Sequence, residues 1–108
     1  MNIQIFGSSK SFDSKKAERW FKERRIKYQY IDLPTKGLSP REYQSVKRKV
    51  GFSALVNTKC RAYEDLFITP DTQEEKLLEH PELFMAPIVR NGAEATVGYC
   101  PEVWSTWM

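Results

Sequence analysis

Ile3-Gln4-Ile5-Phe6-Gly7-Ser8-Ser9-Lys10-Ser11-Phe12-Asp13-Ser14-Lys15-Lys16-Ala17-Glu18-Arg19-Trp20-Phe21 changes its hydrophobic period halfway along, and that change decides the fold. Asn2–Phe6 alternates polar and apolar residues, the period of a half-buried strand. Gly7–Phe12 is a loop of one glycine, three serines, a lysine and a phenylalanine. From about Asp13 to Arg25 the period is helical, with Ala17, Trp20 and Phe21 on one face and Asp13 or Ser14 available as the cap. Lys27–Leu33 alternates again, Tyr28, Tyr30 and Asp32 against Gln29, Ile31 and Leu33. Strand, helix and strand in so short a span predict a βαβ unit with parallel strands.

Working outward, Ser39-Pro40-Arg41-Glu42 combines an N-cap serine, a proline suited to the first helical position and a glutamate able to close a capping box. The helix it starts should run to about Val50, where Gly51 can adopt the left-handed cap. Short helices are expected at Tyr63–Leu66 and from about Asp71 to Glu79, with His80-Pro81 ending the second. Pro87–Val89 and Ala95–Tyr99 flank Asn91-Gly92, a hairpin signal. Pro101 opens a last helix ending in Trp104 and Trp107, which could pack inward or against another chain. This order predicts an α/β, thioredoxin-like fold. A mixed four-stranded sheet carries flanking helices, with a helical insert between the βαβ and ββα halves, and one domain covers residues 1–108.

The composition narrows the function classes. The 108 residues are 41% apolar and 13% aromatic, enough for one packed core. No apolar run approaches the roughly 20 residues a membrane helix needs. The chain opens on a strand rather than a basic-then-apolar leader, so a bacterial, cytoplasmic setting is expected. The net charge of +3 conceals an asymmetry: residues 1–61 hold 15 lysines and arginines against 5 acids, and residues 62–108 hold 2 against 9. Two solvated faces of opposite sign are the plain reading, and a basic face meeting an acidic protein partner is the second. Nucleic-acid binding is not expected, because Trp20 and Phe21 belong to the buried stripe and leave no stacking platform beside the charge. Cys60 and Cys100 do not make a disulfide framework, and with His80 as the one histidine no structural metal site is expected.

The stretch from Lys10-Ser11-Phe12-Asp13-Ser14-Lys15-Lys16-Ala17 to Arg24 resembles the opening of the ArsC/Spx family, the arsenate reductase-like thioredoxin-fold proteins, and is nearest the Gram-positive ArsC-like subgroup. Gly37-Leu38-Ser39, Ala86-Pro87-Ile88-Val89-Arg90-Asn91-Gly92, and Val97-Gly98-Tyr99 leading into Pro101-Glu102-Val103-Trp104 continue the resemblance in order along the chain. It implies that Ser11 occupies the place of the family's nucleophilic cysteine. Pro87 would be the proline, commonly cis, before the third strand. The three arginines that grip the oxyanion would be replaced by Asn57, Ala86 and Cys100.

Two catalytic candidates follow, Ser11 and, as a relocated thiol favoured by the N-cap of the last helix and by resemblance facing the first loop, Cys100. Lys10, Asn57, Lys59 and Pro87 are the binding candidates; Cys60, between Lys59 and Arg61, reads as an ordinary cysteine. A Ser11–His80 pair is disfavoured by the geometry it demands, and the Gly7–Ser11 loop lacks the Gly-Lys-Ser/Thr ending of a phosphate loop. By resemblance the ligand would be a small oxyanion or a thiol substrate, with no bound cofactor and with glutathione or thioredoxin as electron donor. Two functions stay open. One is an arsenate reductase-like thiol oxidoreductase impaired by Ser11; the other is an Spx-like, redox-silent adaptor that docks on a protein such as RNA polymerase.

Overall fold

A computed structural model describes residues 2–57, 63 and 73–107. Strand β1 (Ile3–Gly7) pairs in parallel with β2 (Tyr28–Asp32), setting Ile5 opposite Tyr30. On its other side β1 pairs antiparallel with β3 (Ile88–Asn91), which pairs antiparallel with β4 (Glu94–Val97). The sheet order is β2-β1-β3-β4. This is the expected mixed four-stranded sheet, and its parallel pair is bridged by α1 (Phe12–Glu23) as the βαβ pattern requires.

Strand alternation divides the core into two clusters. Ile3, Ile5 and Val89 pack with Ala17, Trp20 and Phe21 of α1 and Trp104 of the C-terminal helix. Phe6 and Ile88 face the other way, toward Tyr43 and Val46 of α3 (Pro40–Val50) and toward Leu33, Leu55, Leu77 and Leu83. Leu33 opens α2 (Leu33–Lys36), Leu55 closes α4 (Phe52–Leu55), and Leu77 lies in α5 (Gln73–Glu79). None of the described helices is long and apolar enough to cross a membrane.

The capping box forms as expected: Ser39 Oγ accepts from Glu42 N at 3.2 Å and Glu42 Oε1 accepts from Ser39 N at 2.9 Å. Gly51 ends α3 at a φ of +84°. Several expectations are corrected. The cap of α1 is Ser11, whose Oγ accepts from Ser14 N, rather than Asp13 or Ser14. Asn91 is the last residue of β3, so the hairpin loop is Gly92-Ala93 with Gly92 at φ +61°. The short helices α2 and α4 have no clear period in the sequence and arise because Leu33 and Leu55 are drawn fully into the core. The final helix α6 (Pro101–Trp104) runs into a 3₁₀ turn at Ser105–Trp107. Trp104 points inward and is fully buried, its Nε1 donating to Thr96 Oγ1 at 2.8 Å. Of the helix expected at Tyr63–Leu66 only Tyr63 is described, and it is helical; the rest, and Asp71, lie outside the described residues.

Candidate functional site

The loop from β1 into α1 is held by its own serines. Ser14, fully buried on the first turn of α1, accepts from Ser8 N through its Oγ at 3.1 Å. Ser8 O in turn accepts from Ser11 N at 3.0 Å, and Ser8 Oγ from Lys10 N at 3.3 Å. Ser11 is thereby pinned at the N-terminus of a twelve-residue helix. Its Oγ accepts from Ser14 N at 3.2 Å and donates to Ala86 O at 3.3 Å, so the hydroxyl proton is already committed to the backbone ahead of β3. The Ala86–Pro87 peptide is cis.

This loop forms one wall of a cavity of about 750 Å³. Asp32, Leu33 and Pro34 at the start of α2 form a second wall, and Pro81, Glu82 and Phe84–Ala86 a third. Asn57 completes the lining, positioned by antiparallel pairing of its segment with the chain before β3: Asn57 N donates to Leu83 O at 2.8 Å and Met85 N to Leu55 O at 2.7 Å. Among the described residues the charges on the walls are Lys10 against Asp32 and Glu82. Asp32 is hydrogen-bonded by Thr35 Oγ1, and Glu82 Oε1 lies 3.3 Å from His80 Nδ1. His80 is thus engaged with Glu82 and not with Ser11. Among the described residues no group of His, Cys, Asp and Glu side chains is placed to hold a metal ion.

Of the residues singled out in the sequence, the fold brings Lys10, Ser11, Asn57 and Ala86 to this cavity. Pro87 is buried immediately behind Ala86. Cys100 does not line the cavity. It is the N-cap of α6 and packs against the α1 cluster, where its Sγ donates to Val97 O at 3.3 Å and Asp13 of the first turn of α1 acts on it. The expected low thiol pKa is also corrected. Burial, then Glu102 and Asp13, push it up, outweighing a hydrogen bond with Thr96 that acts the other way. Lys59 and Cys60 lie outside the described residues. Sequence reasoning missed the acidic walls, Asp32 and Glu82, because each sits far along the chain from Ser11. It also passed over Ser14 as the anchor of the loop, although the Ser11–Ser14 spacing is that of a cap and its third helical residue.

The model of the ArsC family matches residues 6–107. No curated protein matches the chain. Among solved structures, an arsenate reductase from Vibrio cholerae superposes with a TM-score of 0.83 at 22% identity, covering 100% of this chain and 98% of that one. An ArsC family related protein from Bacteroides fragilis gives a TM-score of 0.84 at 20% identity, with 100% and 98% covered. An arsenate reductase (ArsC) related protein from Brucella melitensis gives 0.69 at 19% identity, with 99% and 94% covered.

Proposed function

The chain belongs to the ArsC family, and on that premise we propose that it is an arsenate reductase-like relative of the thiol oxidoreductases in which Ser11 takes the place of the nucleophilic cysteine and efficient arsenate reduction is lost. The observation that carries this reading is the Ser11 hydroxyl itself, which lines the cavity, caps α1 and donates to Ala86 O. A hydroxyl is a weak nucleophile unless a base takes its proton. The only histidine is engaged with Glu82.

The remaining walls support the same reading. Asn57 and Ala86, where the resemblance would place oxyanion-gripping arginines, offer an amide and a methyl group. Arginine–oxyanion hydrogen bonds contribute about 1.5–3 kcal/mol each, and among the described residues two wall carboxylates against one lysine oppose an anion further. The second reading, an Spx-like adaptor that docks on a protein partner such as RNA polymerase, is favoured by the same residue, since a docking module needs no nucleophile.

The test is arsenate turnover by the purified chain with glutathione and glutaredoxin, or with thioredoxin, as reductant. No turnover above the protein-free blank is expected. Ser11→Cys should create a reactive thiol and still turn arsenate over poorly, because the gripping charges are missing. Thiol-dependent turnover by the unaltered chain that disappears in Cys100→Ser would overturn the reading and restore a relocated redox centre.

A further inference from the structure

The residues between Lys15 and Lys27 hold seven lysines and arginines against Glu18 and Glu23. Among the described residues, no acid of the C-terminal half forms an ion pair with them. Among the described residues the ion pairs are Lys47–Glu74 at 2.8 Å, Lys49–Glu94 at 3.1 Å, Lys76–Glu79 and Arg90–Glu42 at 3.8 Å each, and His80–Glu82. Every one involves α3, α5 or the turn after α5. The opposite charges of the two halves therefore cancel on the α3 side of the sheet, and the cations of α1, packed on the other side, are left over.

The surplus has a built shape at the C-terminal end of α1. Arg25 N donates to Lys22 O at 3.1 Å and Ile26 N to Phe21 O at 3.0 Å, the paired bonds of a Schellman cap. The residue that must turn left-handed in that cap is normally glycine. Here it is Arg25, at φ +57°, the one non-glycine residue with positive φ among those described. A side chain kept where it strains the backbone points to a use for that side chain. Beside it lies an open groove of about 480 Å³ in which exposed Lys22, Arg25 and Lys27 surround half-buried Ile26 and Tyr28.

We propose that this groove docks an acidic segment of a partner protein, with carboxylates on Lys22, Arg25 and Lys27 and one apolar side chain seated over Ile26 and Tyr28. Charge selects an anionic partner, and the apolar centre selects a peptide over a nucleic acid. Tyr28 is the one ring in the groove, and the rings of α1 add no second stacking surface: Phe21 is buried, and Trp20 is covered by the Arg24 guanidinium, 4.1 Å from its ring centre. Salt weakens the contact, because exposed charges are screened over about 8 Å at physiological ionic strength.

The experiment is fluorescence anisotropy of the whole chain with a labelled peptide rich in Asp and Glu that carries one central Phe. Its companions are the same peptide with Ser for Phe and a labelled oligouridylate. The Phe peptide should bind, and Ser for Phe should weaken binding about tenfold. Arg25→Gly should relieve the left-handed strain and raise the melting temperature while weakening the peptide by a similar factor; a purely structural Arg25 would give the first change without the second. Lys27→Gln, on an exposed position, should weaken binding with the fold unchanged. The proposal is overturned if the Phe peptide does not bind, if the Ser peptide binds equally, if oligouridylate binds as tightly, or if Arg25→Gly binds like the unaltered chain.

Discussion

Ser11 and Cys100 both cap helices, and their surroundings treat them oppositely. Ser11 sits at the end of twelve-residue α1 with Ser14 N–H aimed at its oxygen, a setting that stabilises negative charge. Cys100 caps four-residue α6 without any side-chain cap bond, against an apolar cluster and near Glu102. Alkylation followed by peptide mass spectrometry, which separates Cys100 from Cys60, reads the difference. Cys100 should react slowly at pH 7, with its rate still climbing beyond the ordinary thiol pKa of about 8.5. The introduced thiol of Ser11→Cys should react at lower pH. Rapid alkylation of Cys100 at pH 7 would contradict its half-buried place beside the carboxylates. The occupant of the first loop was legible from Lys10-Ser11-Phe12-Asp13 alone; the packing of Cys100 with the α1 cluster was not, because it depends on how α6 packs rather than on its cap spacing.

At the scale of elements, α3 and α5 are clamped through one carboxylate. Glu74 Oε1 accepts from the hydroxyl of buried Tyr43 at 2.9 Å and from Lys47 Nζ at 2.8 Å. Those bonds hold the Glu74 carboxyl below the usual carboxylate range, and burial with Glu74 nearby pushes the Tyr43 phenol up. A carboxyl depressed in the fold contributes stability that is complete above its unfolded pKa of about 4.3 and is lost as pH falls through its folded value. Glu74→Gln should therefore lower the urea midpoint at pH 7, and the gap from the unaltered chain should close below about pH 4. A gap that is the same at both pH values would assign the loss to packing rather than to the charge. Ser39→Ala, which opens the capping box of α3, should cost about 1 kcal/mol in the same denaturation assay. The capping box was readable because its partners are three residues apart; the Tyr43–Glu74 bond spans 31 residues and needed the fold.

Across the whole molecule the sheet keeps two cores apart, and Trp104 locks the one beneath α1. Its ring lies 5.4 Å from Trp20, 5.0 Å from Phe21 and 5.6 Å from Tyr99, and Thr96 satisfies its indole N–H. Trp104→Ala should cost about 3–5 kcal/mol, measured by urea denaturation. Thr96→Val, which keeps the volume and orphans the N–H, should cost about 1–3 kcal/mol. Equal stability of Thr96→Val and the unaltered chain would show that the indole finds another partner. The same division explains the charge pattern. α3 and α5 share one side of the sheet and pair their charges, while α1 stands on the other and keeps its own.

The sequence by itself determined what neighbouring residues decide: the strand and helix periods of the βαβ unit, the parallel pairing they imply, the capping box at Ser39 and the positive-φ glycine at Gly51. These are short-range consequences of backbone sterics and hydrogen-bond geometry. Only the tertiary structure decided that Asp32 and Glu82 face Lys10 across one cavity, that Cys100 packs with the α1 cluster outside the cavity lining, and that Trp104 is core. Burial, desolvation and distance arise when segments far apart in sequence are packed together, and no local pattern encodes them.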